Sequence, residues 1–328
     1  MPINVSTIDP AYSFEVETAS YVGEPRKNTV MYITKKVEYL LQAVENTPHC
    51  LIYAENGVTV PEKMKRDKLF VMCANPRLEY VRFLARLFAD KELRQQKRKY
   101  VLETGGYYLG ENAHIGEESF IEPGCVIGHD VVIGRNARVY AGAVIKNAVI
   151  GDNFTANENC VVGTNGYVLT KDDDGEWLRI PAIGKVVIGN DVELGALDSV
   201  AVGTAGDTVI GDGAKIDAHV YIGHDSRLGA RTEIPAGVVM GGYCTLEDDT
   251  FAGFNATLRN RICLGKGCVV GMGAVVTKSV SAREIVAGSP AKRIGWMCKC
   301  GARLDAALHC PDCGRKYRET DGDLEELK

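Results

Sequence analysis

The sequence predicts a mainly β protein: a parallel β-helix of hexapeptide repeats, a small α/β domain before it and a cysteine-rich tail after it. Three observations predict this. Every sixth residue from Ile210 to Val276 is apolar without a break, through Ile216, Ile222, Leu228, Ile234, Met240, Leu246, Ala252, Leu258, Leu264 and Val270. The first hundred or so residues show no such beat, and two cysteine pairs, each followed by glycine, stand near the end. A period of six fits neither a helix face nor an alternating strand; it is a solenoid period. Each hexapeptide supplies one short strand with one inward aliphatic and one corner, where Gly, Asn or Asp tolerates positive φ. Three hexapeptides close a triangular coil, so residues eighteen apart stack, and stacking buries a column that no single repeat could bury.

Composition bounds the rest. A chain of 328 residues has room for two or three domains. With 45% hydrophobic and 25% charged residues it reads as globular. A net charge of −5 argues against a general nucleic-acid surface. No run of eighteen apolar residues suggests a membrane span. The start, MPINVSTIDPAYSFEVE, lacks the basic and apolar regions of a signal peptide. Of eleven cysteines, seven are scattered among aliphatic residues, which suggests a reduced, cytoplasmic protein.

In chain order, residues 1–103 form the α/β domain. Val37, Leu40, Leu41 and Val44 predict a helix over Lys35–Asn46, and Cys50–Ala54 and Leu69–Cys73 read as buried strands. Asn75-Pro76 caps and opens a helix bearing Leu78, Val81, Phe83, Leu84 and Leu87, which ends in the charged run Asp90–Lys99, a solvated face. Residues 104–280 form the solenoid. Its beat runs from Ile115 to Ile145, then slips around two insertions, Gly163–Pro181 and Gly203–Thr208. A long loop on a rigid solenoid is a place for function. Residues 281–297 link to a tail, 298–328, in which Cys298, Cys300, Cys310 and Cys313 read as a structural zinc ribbon, the first pair one residue tighter than the usual spacing; four thiolates close a tetrahedral site. Flat solenoid faces need partners and make shallow pockets alone, which predicts a homotrimer with sites between subunits.

The repeats resemble those of the hexapeptide-repeat acyltransferases. The α/β domain ending in Asn75-Pro-Arg-Leu78, the loop bearing Tyr167, Trp177, Ile180 and Pro181, and the stretches Gly206–Gly213 and Lys215–His224 resemble, more narrowly, the UDP-3-O-acylglucosamine N-acyltransferase family. That resemblance implies left-handed winding and transfer of an acyl group from a thioester carrier to the amine of a nucleotide-linked amino sugar, in lipid A-like or surface polysaccharide synthesis. It implies His224 as general base, with the Gly242 amide, one coil on, as oxyanion donor. It places Asn75, Tyr167, Trp177 and Asp217 toward the sugar nucleotide. Asp217 or Asp225 could orient the imidazole. The plain alternatives are a solvent-facing corner histidine, like His129 in the same Ile-Gly-His-Asp tetrapeptide, and a simple helix cap at Asn75. The chain departs from the family at Met72 and Leu78, where aromatic residues would sandwich uracil, at Ala201-Val202 in place of an Asp-Arg pair, and at Arg261 in place of a histidine. The solenoid exit, Gly271-Met-Gly273 to Lys278 and then Lys292-Arg293, resembles acetyltransferases that use coenzyme A, and these cations suit its phosphates. The family's terminal helices, which help receive an acyl carrier protein, give way here to the cysteine tail, which favours acyl-CoA over that carrier.

Two other functions fit parts of the sequence. His219 and His224 have the His-x4-His spacing of hexapeptide-repeat carbonic anhydrase-like lyases, although Ile180-Pro-Ala-Ile-Gly184 offers no third histidine. A non-catalytic scaffold is the other.

Overall fold

The computed structural model describes residues 2–320 and 323–327, and the side chains of all of these except Asp90, Lys91, Glu92 and Arg94; part of the charged run Asp90–Lys99 thus lies outside the described residues. The chain divides into two compact units. The first holds the residues up to Arg98 together with Asn165–Gly184 and Gly203–Gly206, and the second holds the remainder.

In the first unit four parallel strands lie in the order Thr18–Ala19, Thr29–Ile33, Cys50–Glu55 and Leu69–Cys73. Alternation along each strand feeds two cores. Val30, Leu51 and Tyr53 pack with Val81, Phe83 and Leu84 of the helix Pro76–Gln95. Met31, Ile33, Ile52 and Ala54 pack with Leu41 and Val44. The helix expected over Lys35–Asn46 is mostly a 3-10 segment, Lys35–Leu40, broken at Val37 (φ −120), with one α-turn at Leu41–Val44. Burial of Leu41 and Val44 holds this short element, which is below the length at which propensity alone sustains a helix. The first long insertion folds into this unit. Ile180 is 5% exposed within its core, Arg77 donates to the Leu169 carbonyl at 2.9 Å, and Arg82 pairs with Asp173 at 2.6 Å. Between these anchors a hairpin pairs Leu169–Lys171 with Trp177–Arg179.

The second unit is the β-helix. Three sheets of mostly two-residue parallel strands form its faces. Along the uninterrupted coils the register joins residues eighteen apart, as in Tyr221↔Val239 and Ile222↔Met240. The twelve apolar residues from Ile210 to Val276 are each at most 3% exposed. Two residues before each inward aliphatic lies a second buried slot, filled by small side chains such as Ala214, Ser226, Thr232 and Ala256. Cys125, Cys160, Cys244 and Cys268 occupy this slot, which explains their scatter; the seven cysteines outside the tail are free thiols. Burial pushes the Cys268 thiol up to about 12, as suits an inert core residue.

The last coil passes into Glu284–Ala287, which pairs antiparallel with Lys292–Trp296. Trp296, Leu304, Tyr317 and Leu324 then enclose Cys298 and Cys310 in a small core, stiffened by a hairpin of Lys316–Thr320 and Asp323–Leu327 that the sequence reading did not foresee.

Candidate functional site

The site begins at one solenoid corner. The strand Tyr221–Ile222 ends, Gly223 and His224 turn the chain, and Asp225 adopts φ 57. That left-handed turn folds the Asp225 carboxylate back onto its neighbour: Oδ2 lies 2.8 Å from His224 Nδ1. Their side chains are only 5% and 12% exposed respectively. The Asp225 N–H donates to Thr208 Oγ1 at 3.0 Å, which fixes the turn. A neutral imidazole that donates from Nδ1 to a carboxylate keeps its lone pair at Nε2. Of the two candidate orienting carboxylates, Asp225 is therefore the one in contact.

The eighteen-residue register sets Gly242 directly over His224. A β-carbon at Gly242 would lie 2.4 Å from His224 Nε2 and 2.5 Å from Cε1, so only glycine lets the ring lie where it does. The Gly242 carbonyl accepts from Arg261 N at 3.1 Å, while among the described residues no acceptor meets its own N–H. An unpaired donor beside Nε2 is what an oxyanion needs. Tyr243, at φ 60, stands edge-on to the imidazole with ring centres 5.2 Å apart, and the Arg261 guanidinium lies 4.3 Å from the Tyr243 ring centre.

Lys278 falls on the same corner three coils above His224, by the register that stacks Ile222, Met240, Leu258 and Val276. At ~4.8 Å per coil this is about 14 Å. Lys278 and Lys292 are exposed. Arg293 is engaged, paired with Glu319 at 2.8 Å and stacked over Trp296. Gly271 and Gly273 stand one corner earlier in the last coil, Gly273 at φ +65. Asp217 also stands at the corner before that of His224. It lines a groove of about 390 Å³ with Asn157, Glu193, Lys215, Glu233 and Phe254.

Asn75, Tyr167 and Trp177 belong to the other unit. Asn75 Oδ1 accepts from Leu78 N at 3.1 Å, so its oxygen serves as the helix cap. Leu78 is buried and Met72 is exposed, so no aromatic pair flanks Asn75. Tyr167 and Trp177 are 68% and 64% exposed, with Arg179 over the first ring and Lys171 over the second.

In the tail the four cysteine sulfurs lie within 4.8 Å of one another, with Cys298–Cys313 at 3.5 Å and Cys300–Cys310 at 3.4 Å. Zinc–sulfur bonds of about 2.3 Å in a tetrahedron put sulfurs about 3.8 Å apart, so the residues fit such an ion. Tyr317 Oη lies 3.2 Å from Cys298 Sγ, and Arg315 donates to Cys313 Sγ at 3.4 Å. Among the described residues no other cluster of three histidine, cysteine or acidic side chains is placed to hold a metal.

Comparison with known proteins bears on the repeats and the fold. The family described as bacterial transferase hexapeptide (six repeats) matches residues 112–147 and 207–242, and the hexapeptide repeat of succinyl-transferase matches 243–278. The chain is similar to the structure of UDP-N-acetylglucosamine acyltransferase from Francisella novicida, with a TM-score of 0.54 and 25% identity, covering 60% of this chain and 70% of that one. The enzyme from Bacteroides fragilis, at 22% identity and a TM-score of 0.54, covers 59% and 74% and shows the same fold. The fold and these matches define a hexapeptide-repeat protein with a left-handed β-helix, similar to acyltransferases. Within that class its sequence is similar to UDP-3-O-acylglucosamine N-acyltransferase of Coxiella burnetii, 32% identical over 187 residues, 50% of this chain and 52% of that protein. The counterpart from Herminiimonas arsenicoxydans is 33% identical over 151 residues, 42% and 43%. The chain thus spans about half the length of the curated relatives it matches.

Proposed function

We propose that the protein is a cytoplasmic N-acyltransferase. It moves an acyl group from a thioester, acyl-CoA in preference to an acyl carrier protein, to the amine of a nucleotide-linked amino sugar in lipid A or surface polysaccharide synthesis. The observation behind this reading is the His224–Asp225 pair at 2.8 Å with the Gly242 amide unpaired beside it. The amine attacks the thioester carbonyl and gives its proton to His224 Nε2. Asp225 holds the ring and stabilises the imidazolium. The carbonyl oxygen, now an alkoxide, takes the Gly242 N–H. Collapse breaks the carbon–sulfur bond, and the thiolate leaves with the proton from His224.

Coenzyme A as donor is supported by Lys278, whose place about 14 Å up the same corner suits a phosphate at the far end of an uncharged arm. Asp217 and the exposed rings of Tyr167 and Trp177 remain the proposed sugar-nucleotide contacts, with Asn75 offering only its Nδ2; Gly271, Gly273 and Lys292 are proposed for the donor side. Assembly as a homotrimer is supported by one face whose outward column is mostly apolar, reading Val126, Val144, Val161, Ser199, Tyr221, Val239, Thr257 and Val275 across its coils. The tail is proposed to hold a structural zinc on Cys298, Cys300, Cys310 and Cys313, closed to substrate. The test is His224→Ala with an amino-sugar nucleotide acceptor. A positioned base contributes roughly 10²–10⁴-fold, so kcat should fall by that factor with donor affinity unchanged. Wild-type turnover in the variant would sink the assignment.

A further inference from the structure

The geometry points to Ser226 as a positioning residue that aims the Gly242 amide at the reacting carbonyl; this rests on the acyl-transfer reading above. Ser226 stands two residues after His224 and is fully buried in the small-residue slot behind that corner. Its Oγ lies 3.3 Å from the Gly241 carbonyl oxygen and 3.3 Å from the Cys244 nitrogen. The Cys244 N–H can only donate and the Gly241 oxygen can only accept. The hydroxyl proton is therefore directed at the Gly241 carbonyl.

That carbonyl and the Gly242 N–H belong to one peptide unit. In a planar trans unit the C=O and the N–H point in opposite directions. Holding the carbonyl toward the solenoid interior turns the N–H away from it, to the open side of the corner. A hydrogen bond to the carbonyl also polarises the unit and strengthens its N–H as a donor. The backbone ladder does neither. Gly223 N–H takes the Met240 carbonyl at 3.1 Å and Gly241 N–H goes to the Leu258 carbonyl at 2.9 Å, which leaves the Gly241 oxygen to the serine.

Two independent features agree. One coil down, a β-carbon at Gly223 would lie 2.6 Å from Gly242 N and 2.7 Å from Gly241 C, so the same peptide unit is seated on bare backbone from below while the serine holds it from behind. The register also stacks Ser226 in a column with Val186, Thr208, Cys244 and Ile262. The two hydroxyls among these are consecutive, and both brace this corner, since Thr208 Oγ1 takes the Asp225 N–H at 3.0 Å. At Asp130, Tyr243 and Arg261 the corresponding N–H meets a backbone carbonyl of the coil below. At the other Ile-Gly-His-Asp corner the residue two beyond His129 is the buried Val131, which has no proton to give a carbonyl.

The experiment compares the full-length wild type with Ser226→Ala and Ser226→Thr. Alanine fills such a slot at Ala148 and threonine at Thr208, so both side chains suit the space. Steady-state kinetics use acetyl- and myristoyl-CoA with an amino-sugar nucleotide. Infrared difference spectra follow the isotope-labelled thioester carbonyl of the same donors, bound without acceptor, because a hydrogen bond to that oxygen lowers its stretching frequency. Ser226→Ala is expected to lower kcat about tenfold, short of the roughly 10²–10³-fold that removing a whole oxyanion donor costs. KM for the donor should be unchanged, and much of the wild-type frequency shift should be lost. Ser226→Thr keeps the hydroxyl and is expected to restore both. A residue that only filled space would leave the carbonyl band where it is. Wild-type kcat and band in Ser226→Ala overturn the inference while leaving acyl transfer standing, and so does a kcat that falls with the band unmoved. A wild type that neither binds these donors nor turns over sinks the proposed reaction and this role with it.

Discussion

Gly242→Ala tests the site with a single methyl group. The backbone at Gly242 is outside the left-handed region, so alanine can adopt it, and the whole effect comes from the added carbon. That carbon would lie 2.4 Å from His224 Nε2, 2.5 Å from Cε1 and 2.8 Å from Cδ2, where ordinary contact begins near 3.4 Å. The imidazole must retreat by about 1 Å, and a misplacement of that size costs on the order of 10²-fold in rate. Retreat also strains the 2.8 Å bond to Asp225. Steady-state kinetics with an acyl-CoA and an amino-sugar nucleotide should show kcat down roughly 10²-fold with KM for the donor little changed, because the lysines up the corner are untouched. Circular dichroism should be that of the wild type, since the coil above and below keeps its hydrogen bonds. A variant within threefold of wild-type kcat would show that neither the imidazole position nor the adjacent amide matters to the reaction.

Three further outcomes are expected. Elemental analysis should find one zinc per chain, and chelation should unfold the tail while the solenoid's circular dichroism persists; protein purified without zinc would end the idea. Light scattering should give a trimer, and a monomer at working concentration would refute the use of the valine column as an interface. Asp198 is 1% exposed, and burial pushes its carboxyl up to about 7 against two N–H bonds from Val220 and Gly195. A raised carboxyl keeps its proton longer in the folded state, so its contribution to stability is present at low pH and is lost as pH rises from 3.8 toward 7. The Tm of the wild type relative to Asp198→Asn should fall across that window, and a difference flat with pH would refute the shift.

How much of this was legible in the sequence depends on whether the determining contact is local or repeated. The hexad was legible because each inward aliphatic is selected by the same burial at a fixed period, and the period then converts spacing into adjacency: eighteen residues separate His224 and Gly242 in the chain, and the ring touches the glycine. The slot two residues before each aliphatic was less legible. Cys125, Cys160, Cys244 and Cys268 fill it as small apolar groups, and Asp198 is its acidic exception, two residues before Val200. The placement of the loop was not legible at all. Ile180 and Asp173 are an ordinary apolar and an ordinary acidic residue, and their partners lie some ninety residues away around Arg77 and Arg82.

The tetrapeptide Ile-Gly-His-Asp makes the same point at the level of chemistry, because it occurs twice and means two things. At His129 the neighbouring coils supply Asn147 above, Tyr100 with its ring 4.4 Å away, and the Glu111 N–H, which donates to Nδ1 at 2.9 Å. Nδ1 is thus an acceptor there, so a neutral ring carries its proton at Nε2 and has no base to offer on that side. Asp130 meanwhile accepts from the Asn112 amide at 3.3 Å. At His224 the next coil supplies a glycine, Asp225 turns back onto Nδ1, and the lone pair passes to Nε2 beside a free amide. The motif fixes a histidine at a corner. The coils stacked on either side decide which nitrogen holds the proton, and with it whether that corner can remove one from an amine.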